Sequence, residues 1–474
     1  MREEYLDEKL KKYSQSSYYP FHMPGHKRMD SPPVNPYALD ITEIDGFDNL
    51  HKPEGILLEA QEDLAGLCGA KESYFLVNGS TCGLLAAISA VAKRGDQILM
   101  ARNCHKAAYH AAALRELHTE YLYPAVTKEG IQGSIRVQDV KKALEKNPGV
   151  RAVVLTSPTY DGILSDIGRI AACVHEKGIP LIVDEAHGAH LGFSQGFPAS
   201  AVSQGADLVI QSYHKTLPAL TQGAVLHRTS DRVFGKKLKK YLGIYQTSSP
   251  SYLLMASLDR CVGMLEREGE QYFSTFEKNL RQFYKGVGEL SHLKVLTRAD
   301  FGEEAYDMDP SKILIYTGAS QMTGMELMQC LREDWKLELE MASGYYALAM
   351  TSIMDSEEGF FRLMEALTSI DQQVEPGSGD NSFSFMRELY GEKEAVIPVW
   401  EAEEARSEEV PLYQAEGRIA AETISLYPPG IPLILPGERI EAGFLKKVEE
   451  CREKQLNLCG LTRGLNEGIK VVVC

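Results

Sequence analysis

Short apolar runs alternate with stretches of helical spacing from about residue 55 to residue 211. Leu181-Ile182-Val183 and Leu208-Val209-Ile210 are continuous apolar runs, and each ends on a polar residue, Asp184 and Gln211. Runs of this kind predict strands buried on both faces, as in a parallel sheet. Ser73 to Val77, Gln97 to Ala101 and Ala152 to Thr156 read the same way. Gly55 to Leu67, Cys82 to Lys93, Lys106 to Leu117 and Gly168 to Lys177 carry apolar residues at helical intervals between them. Such alternation predicts an α/β fold, a mostly parallel sheet covered by helices.

A long helical stretch, Tyr252 to Val287, leads out of this region. Strands near Ile313 to Tyr316, Leu337 to Met341 and Ala347 to Ser352 then predict a smaller α+β domain. Residues 1 to 50 read as an arm, a short charged helix followed by a Pro-rich irregular stretch. Glu375-Pro376-Gly377-Ser378-Gly379-Asp380 reads as a linker. The run EAEEARSEE, 401 to 409, reads most simply as a solvated helix face. The expected division is an arm at 1–50, a large domain at 51–290, a small domain at 291–374 and a C-terminal domain at 384–474.

A length of 474 residues suits two or three domains, and 44% hydrophobic residues can fill large cores. The net charge of −16 argues against a nucleic-acid partner. It would suit a cationic substrate, although acidic surfaces mostly serve solubility. Nine cysteines without paired metal-ligand spacing fit a reducing compartment, and no metal site is expected. The opening MREEYLDEKLKKYSQ has no apolar core of a signal peptide, and no run is long enough to span a bilayer. A cytoplasmic location is therefore expected, with no membrane partner.

The chemistry gathers where the predicted strands end. Lys215 follows Leu208–Gln211 within four residues, and Asp184 closes Leu181–Val183. Ligands of open α/β sheets bind outside the carboxyl ends of strands. A lysine there is either a solvated amine or a nucleophile for a carbonyl, and an Asp there is either a helix cap or a charge for a ligand. Together they suit pyridoxal 5′-phosphate (PLP), which needs a lysine for its aldehyde and a carboxylate for its ring nitrogen. The turn Asn78-Gly79-Ser80-Thr81-Cys82-Gly83 opens a helix, which favours a phosphate. It is neither a P-loop nor a full dinucleotide fingerprint. Ser212 and His214 are further candidate phosphate donors. His105, after the strand Gln97–Ala101, could stack on a pyridine ring. His187 is placed to reach the ring's phenolic oxygen, and Ala186 is small enough to pack beneath the ring. Ser157-Pro158-Thr159-Tyr160-Asp161-Gly162 is either a simple turn or a pocket wall.

Several segments resemble the Orn/Lys/Arg decarboxylase family: FHMPGHK at 21–27, VNGST at 77–81, NCHKAAYHA at 103–111 and SPTYDG at 157–162. DEAHGAH at 184–190, SYHKTLPALTQGA at 212–224, TSSPSYLLMASLD at 247–259 and YPPGIPLILPGE at 427–438 extend the resemblance over nearly the whole chain. The resemblance implies an aspartate-aminotransferase-like, PLP-dependent fold type I enzyme with a seven-stranded sheet and a C-terminal decarboxylase domain. It is similar to the short form, without the receiver-like N-terminal domain of larger members. It implies Lys215 as the Schiff-base lysine, Asp184 on the ring nitrogen and His105 stacked on the ring. It implies Ser80, Thr81, Ser212 and His214 around the phosphate, where Gly79 of the turn permits close approach, and Thr247 and Ser248 reaching the cofactor of the neighbouring subunit of a homodimer.

The expected reaction is decarboxylation of a basic L-amino acid, arginine, lysine or ornithine, to CO₂ and a di- or polyamine. Lys215 or His214 is the expected acid that returns a proton to Cα. Asp161 and Glu438 are candidates for the substrate's distal cation. His22 and His26 of the arm are candidates for closing the pocket across a dimer interface, or else Pro24 and Gly25 only shape a turn. Two alternatives remain open at this level. One is another fold type I enzyme, an aminotransferase or an aldolase, with Arg332 or Arg362 gripping the substrate carboxylate. The other is a catalytically silent regulator that binds an amino acid.

Overall fold

A computed structural model describes residues 13–28, 35–377, 384–427, 430–453, 456–462 and 468–473. Its central sheet has seven strands: β1 Glu72–Leu76, β2 Gln97–Ala101, β3 His118–Leu122, β4 Val150–Thr156, β5 Leu181–Asp184, β6 Leu208–Gln211 and β7 Ala224–Arg228. Their spatial order is β1-β7-β6-β5-β4-β2-β3. Every neighbouring pair is parallel except those of β7, which runs antiparallel to β1 and β6. The apolar runs are continuous because helices cover both faces; all four residues of β5 and of β6 are buried. Helix α1 (Gly79–Val91) illustrates the close fit. A Cβ on its Gly83 would stand 2.6 Å from Leu76 Cδ1, so only glycine lets this helix lie against the sheet.

The predicted strand and helix positions hold in this region, with shifts at the ends. The helix expected at Cys82 begins earlier, at Gly79, and the one expected to reach Leu117 ends at Leu114, here α2 (Lys106–Leu114). Strand β6 passes into a single helical turn, α3 (Tyr213–Thr216). Helix α4 (Tyr252–Gly286) buries Tyr252, Met255, Leu258, Val262 and Leu265 along one stripe.

A second sheet is antiparallel, with β8 Lys294–Val295, β9 Lys312–Tyr316, β10 Met341–Ser343 and β11 Tyr346–Met350 in the order β8-β9-β11-β10. The single strand expected over Leu337 to Met341 is instead two. Leu337–Leu339 leaves this sheet and pairs in parallel with Tyr19–Phe21 of the arm. Glu340 sits at the break and binds Tyr160 and the Met23 N–H. Residues 401–409 also differ from a single helix face. Helix ends at Glu404, and Ser407–Pro411 is a strand antiparallel to Gly468–Val472. Ser407, Glu408 and Glu409 are exposed at the start of this two-stranded ribbon and only Val410 is buried, so its charge lies in solvent.

The C-terminal region has its own core, including Leu389, Ile424, Leu433, Phe444 and Val471. The start of the expected linker is held in place, since Gly377 donates its N–H to Ala319; its residues 378–380 lie outside the described residues. So do residues 1–12, where the charged helix of the arm is expected. Among the described residues no helix is long and apolar enough to cross a membrane.

Candidate active site

Strands β5 and β6 are adjacent, with Asp184 paired in register with Ile210. The chain then runs through Gln211 and Ser212 into α3, which carries His214 and Lys215. Asp184 and Lys215 therefore enter one cavity of about 240 Å³ at the carboxyl edge of the sheet. Asp184 is only 4% exposed, and its Oδ1 accepts the Ala186 N–H at 3.1 Å. Burial pushes its carboxyl up, with Lys215 opposing. Burial pulls the Lys215 amine down, with Asp184 and Glu340 opposing. A lysine made less basic supplies more of its free amine at neutral pH, which is the form that attacks a carbonyl.

The expected phosphate turn borders the same cavity. Gly79 takes φ +70° where the chain enters α1, and it lines the cavity at the start of that helix. Ser80 and Thr81 line the cavity, and the Ser80 hydroxyl bonds that of Ser212. His214 Nδ1 donates to the Gly223 carbonyl at 2.9 Å. That bond fixes its proton on Nδ1 and leaves Nε2 as an acceptor.

His105 caps α2; its Nδ1 accepts the Ala107 N–H at 3.2 Å, so its proton sits on Nε2. Its ring is open on the cavity side yet closely surrounded elsewhere. Desolvation, with Lys215 adding, lowers it to about 4. A neutral, flat ring is thus presented to the cavity. His187 is buried, its ring 4.7 Å from that of Tyr160. Its Nε2 lies 2.8 Å from Lys215 Nζ. Ala186 lines the cavity between Asp184 and His187.

Asp161 also lines the cavity and accepts the Tyr346 hydroxyl at 2.9 Å. Burial raises its carboxyl to about 6. Glu438 is elsewhere. It is 2% exposed and pairs with Arg102 at 2.9 Å, in a buried bridge between the sheet and the C-terminal region. It does not line this cavity, and its Oε2 is engaged by Arg102. His26 does not line the cavity either; its Nδ1 accepts the Arg28 N–H. What meets the site from the arm is backbone, with the Gly25 N–H donating to the His214 carbonyl at 2.8 Å. Thr247 and Ser248 are exposed and lie outside this cavity's lining.

Other residues of the site escape sequence reasoning. Asn103 Oδ1, Gln132 Oε1 and Thr156 Oγ1 are buried among the cavity-lining residues without a hydrogen-bond partner among the described residues. Tyr160 donates to Glu340 at 2.5 Å. Lys27 is buried with its amine bound to the carbonyls of Pro20, His22 and Met350. The SPTYDG turn alone hinted at the pocket wall; nothing local marked Gln132, Lys27 or Glu340.

The doubly wound sheet, with a lysine and a buried aspartate at the edge of adjacent strands, defines a protein of PLP fold type I, aspartate-aminotransferase-like. The chain belongs to the Orn/Lys/Arg decarboxylase family. Residues 5–312 match its major domain and residues 393–463 its C-terminal domain. The arginine decarboxylase of Bacillus subtilis is 33% identical over 446 residues, covering 91% of this chain and 90% of that protein. The Francisella novicida lysine decarboxylase LdcF superposes with a TM-score of 0.81 at 20% identity, covering 98% of this chain and 80% of that one. Pyridoxamine-pyruvate aminotransferase from Mesorhizobium loti shares the fold more distantly, with a TM-score of 0.55 at 16% identity over 69% of this chain and 86% of that one.

Proposed function

We propose that this chain removes the carboxylate of a basic L-amino acid, arginine, lysine or ornithine, to give CO₂ and the corresponding amine, with PLP held in the 240 Å³ cavity. The observation that carries this reading is the meeting of Lys215 and Asp184 in one cavity at adjacent strand ends. The residues present fit the cofactor. Asp184 is a buried carboxyl that a ring N–H would satisfy. Ser80, Thr81, Ser212 and the start of α1 suit a phosphate. The neutral ring of His105 suits a stacking partner. When bound, the cofactor supplies an aldehyde for amines and a pyridinium ring that draws electrons from a breaking Cα–carboxylate bond.

The chain's own groups do the rest. Asp184, held by the Ala186 N–H, keeps a negative charge ready where positive charge is needed. Lys215 would be the residue that holds the cofactor's aldehyde. Its free amine would return a proton to Cα; His214, the alternative donor, would first have to gain a proton on Nε2. Asp161 is the acidic group left to meet the substrate's distal cation. Each turnover consumes a proton, because the carboxylate lost as CO₂ is replaced by hydrogen.

Arg332 pairs with Glu338 at 3.2 Å, and Arg362 donates to the Trp335 carbonyl. Neither lines the cavity, which weighs against the aminotransferase alternative. The enzyme is further read as a cytoplasmic homodimer of polyamine biosynthesis. In that dimer Thr247 and Ser248 reach the partner's cofactor, and the chain divides at 1–50, 51–290, 291–374 and 384–474. The test incubates PLP-loaded protein with a panel of amino acids and assays CO₂, amine and keto acid. CO₂ with amine from a basic amino acid is expected, and Lys215→Ala is expected to abolish it. Keto acid without CO₂, or full turnover by Lys215→Ala, refutes the reading.

A further inference from the structure

Lys27 of the arm has a buried amine whose contacts fix its charge. Its Nζ donates to the Pro20 carbonyl at 3.0 Å, the His22 carbonyl at 3.1 Å and the Met350 carbonyl at 2.7 Å. Carbonyl oxygens only accept, and a neutral amine has two N–H groups for these three acceptors. The ammonium has three, so only the charged form makes every bond. Asp355 Oδ2 stands 3.6 Å away as the counter-charge, and the two side chains are 4% and 0% exposed. Burial pulls the amine down, with Asp355 and Glu340 opposing. A buried ion pair is a poor source of stability, since desolvation offsets its attraction. The backbone is costly here as well. Lys27 and Arg28 take φ +50° and +57°, in the left-handed region that side chains disfavour. Two costs at one residue point to a role beyond stability.

The three carbonyls belong to two bodies. Pro20 and His22 are in the arm, whereas Met350 closes β11 of the second sheet. Asp355 follows that strand and accepts the Tyr19 hydroxyl at 3.1 Å and the Ser352 N–H at 2.7 Å. The ammonium thus fastens the arm to the end of the second sheet. Between these anchors the arm meets the site through its backbone. The Met23 N–H donates at 2.8 Å to Glu340, whose other oxygen accepts the hydroxyl of Tyr160 in the cavity wall. The Gly25 N–H donates to the carbonyl of His214, the residue before Lys215, and the Gly25 carbonyl accepts the Ser352 hydroxyl. Where Lys27 is fastened therefore sets where Met23 and Gly25 press on the two walls.

Resting on the PLP reading above, we propose that Lys27 is a positioning residue for Lys215. Its ammonium fixes the arm against the second sheet, and the arm holds the α3 turn at a set distance from that sheet. Without it, Gly25 is free to leave the His214 carbonyl, and the Lys215 amine is no longer kept in one place relative to Asp184. Chemistry depends on that placement, because a proton reaches Cα only from a donor within hydrogen-bond range. The second sheet also supplies Tyr346, whose hydroxyl binds Asp161. One latch therefore sets the spacing between the Lys215 end of the cavity and its Asp161 end.

The test uses full-length, PLP-loaded protein. It reads melting temperature, kcat, KM and the visible circular dichroism of the bound cofactor, which reports how firmly that ring is held. Lys27→Met keeps the stem and loses the three bonds. Its kcat should fall about tenfold or more, by more than KM changes, and the dichroism should weaken at equal PLP content. Asp355→Asn removes the counter-charge and leaves the three carbonyl bonds in place. It should lower the melting temperature while kcat and dichroism stay near wild type. Lys27→Met with wild-type kcat and dichroism overturns the inference. So does a kcat that follows the melting temperature alike in both variants. Hydrogen exchange of the wild-type protein gives a check that needs no variant. The Gly25 N–H should be protected together with the amides of β11; free exchange at Gly25 while β11 stays protected overturns the proposal. Wild type in which borohydride traps no PLP on Lys215 overturns the cofactor reading beneath it instead.

Discussion

The backbone N–H of Gly25 donates to the carbonyl of His214 at 2.8 Å, which fastens the arm to the turn that carries Lys215. On the other side, the Gly25 carbonyl accepts the Ser352 hydroxyl at 2.7 Å. The arm is thus clamped between the α3 turn and the second sheet. A Cβ at Gly25 would stand 2.9 Å from both the backbone N and the O of Leu217, closer than real contacts allow.

Gly25→Ala should therefore push the arm off α3. A destabilisation of about 1–3 kcal/mol is expected from the overpacking. Capture of PLP by Lys215 should fall with it, whereas His26→Ala should leave capture near wild type, since His26 lies outside the cavity lining. Thermal melts and borohydride trapping on the two variants distinguish a backbone clamp from a histidine that acts in the pocket.

Glu438 stands in a buried pair with Arg102, their side chains 3% and 4% exposed. Glu438 Oε2 also accepts the Leu435 N–H at 2.8 Å. Removing the carboxylate leaves a buried guanidinium without its partner. Glu438→Ala should destabilise the protein by about 3–5 kcal/mol. The KM of the surviving fold should stay unchanged for each basic amino acid. A KM change specific to substrate length, with an unaltered melting temperature, would return Glu438 to the substrate site.

The edge of the sheet that matters was legible because its strands are buried on both faces. Leu181–Asp184 and Leu208–Gln211 are found where the apolar runs stand, and the polar residue ending each run is at the cavity. Strand β3, His118–Leu122, escaped because it is the sheet's outer strand, and its sequence HTEYL is largely polar and half-exposed. Strand β7 escaped for a different reason. Its AVLHR follows the Lys215 turn directly and runs antiparallel, so no crossover helix announces it. Lys312 stands just outside the strand expected at Ile313 to Tyr316 and no local pattern marks it, yet tertiary packing turns its amine inward to His187. Glu438 failed in the opposite sense, since a Pro-Gly-Glu turn looks exposed until Arg102, over three hundred residues away, is folded against it. Local pattern reports burial of whole strands well; it does not report which distant charge a single polar residue meets.

Asp184 should be needed for chemistry more than for capture. Asp184→Asn keeps the shape and the Ala186 contact but loses the negative charge. Borohydride should still trap PLP on Lys215 in this variant. CO₂ release should fall by about 10²-fold or more, the scale of losing a preorganised charge at a reacting centre. Single-turnover CO₂ measurements on trapped-competent protein check this; a variant at the wild-type rate removes Asp184 from the mechanism.

Asp161 gives a prediction for pH. Burial raises its folded carboxyl to about 6, against 3.8 for an ordinary Asp. Over that interval the folded chain binds more protons than the unfolded one, so stability falls as pH rises from about 4 to about 6 and is flat above. The loss is on the order of 3 kcal/mol, from a shift of roughly two units. Asp161→Asn removes this dependence. Its melting temperature relative to wild type should therefore rise between pH 4 and pH 6 and then level off. A basic substrate bound beside Asp161 supplies the missing positive charge, so the amino acid should stabilise wild type more than Asp161→Asn. The variant should also show a KM raised by about tenfold or more, the value of a buried charged hydrogen bond, with trapping of PLP on Lys215 unchanged. Equal KM in both proteins would mean that the distal cation is met elsewhere, with the unpartnered carbonyl of Gln132 next in line.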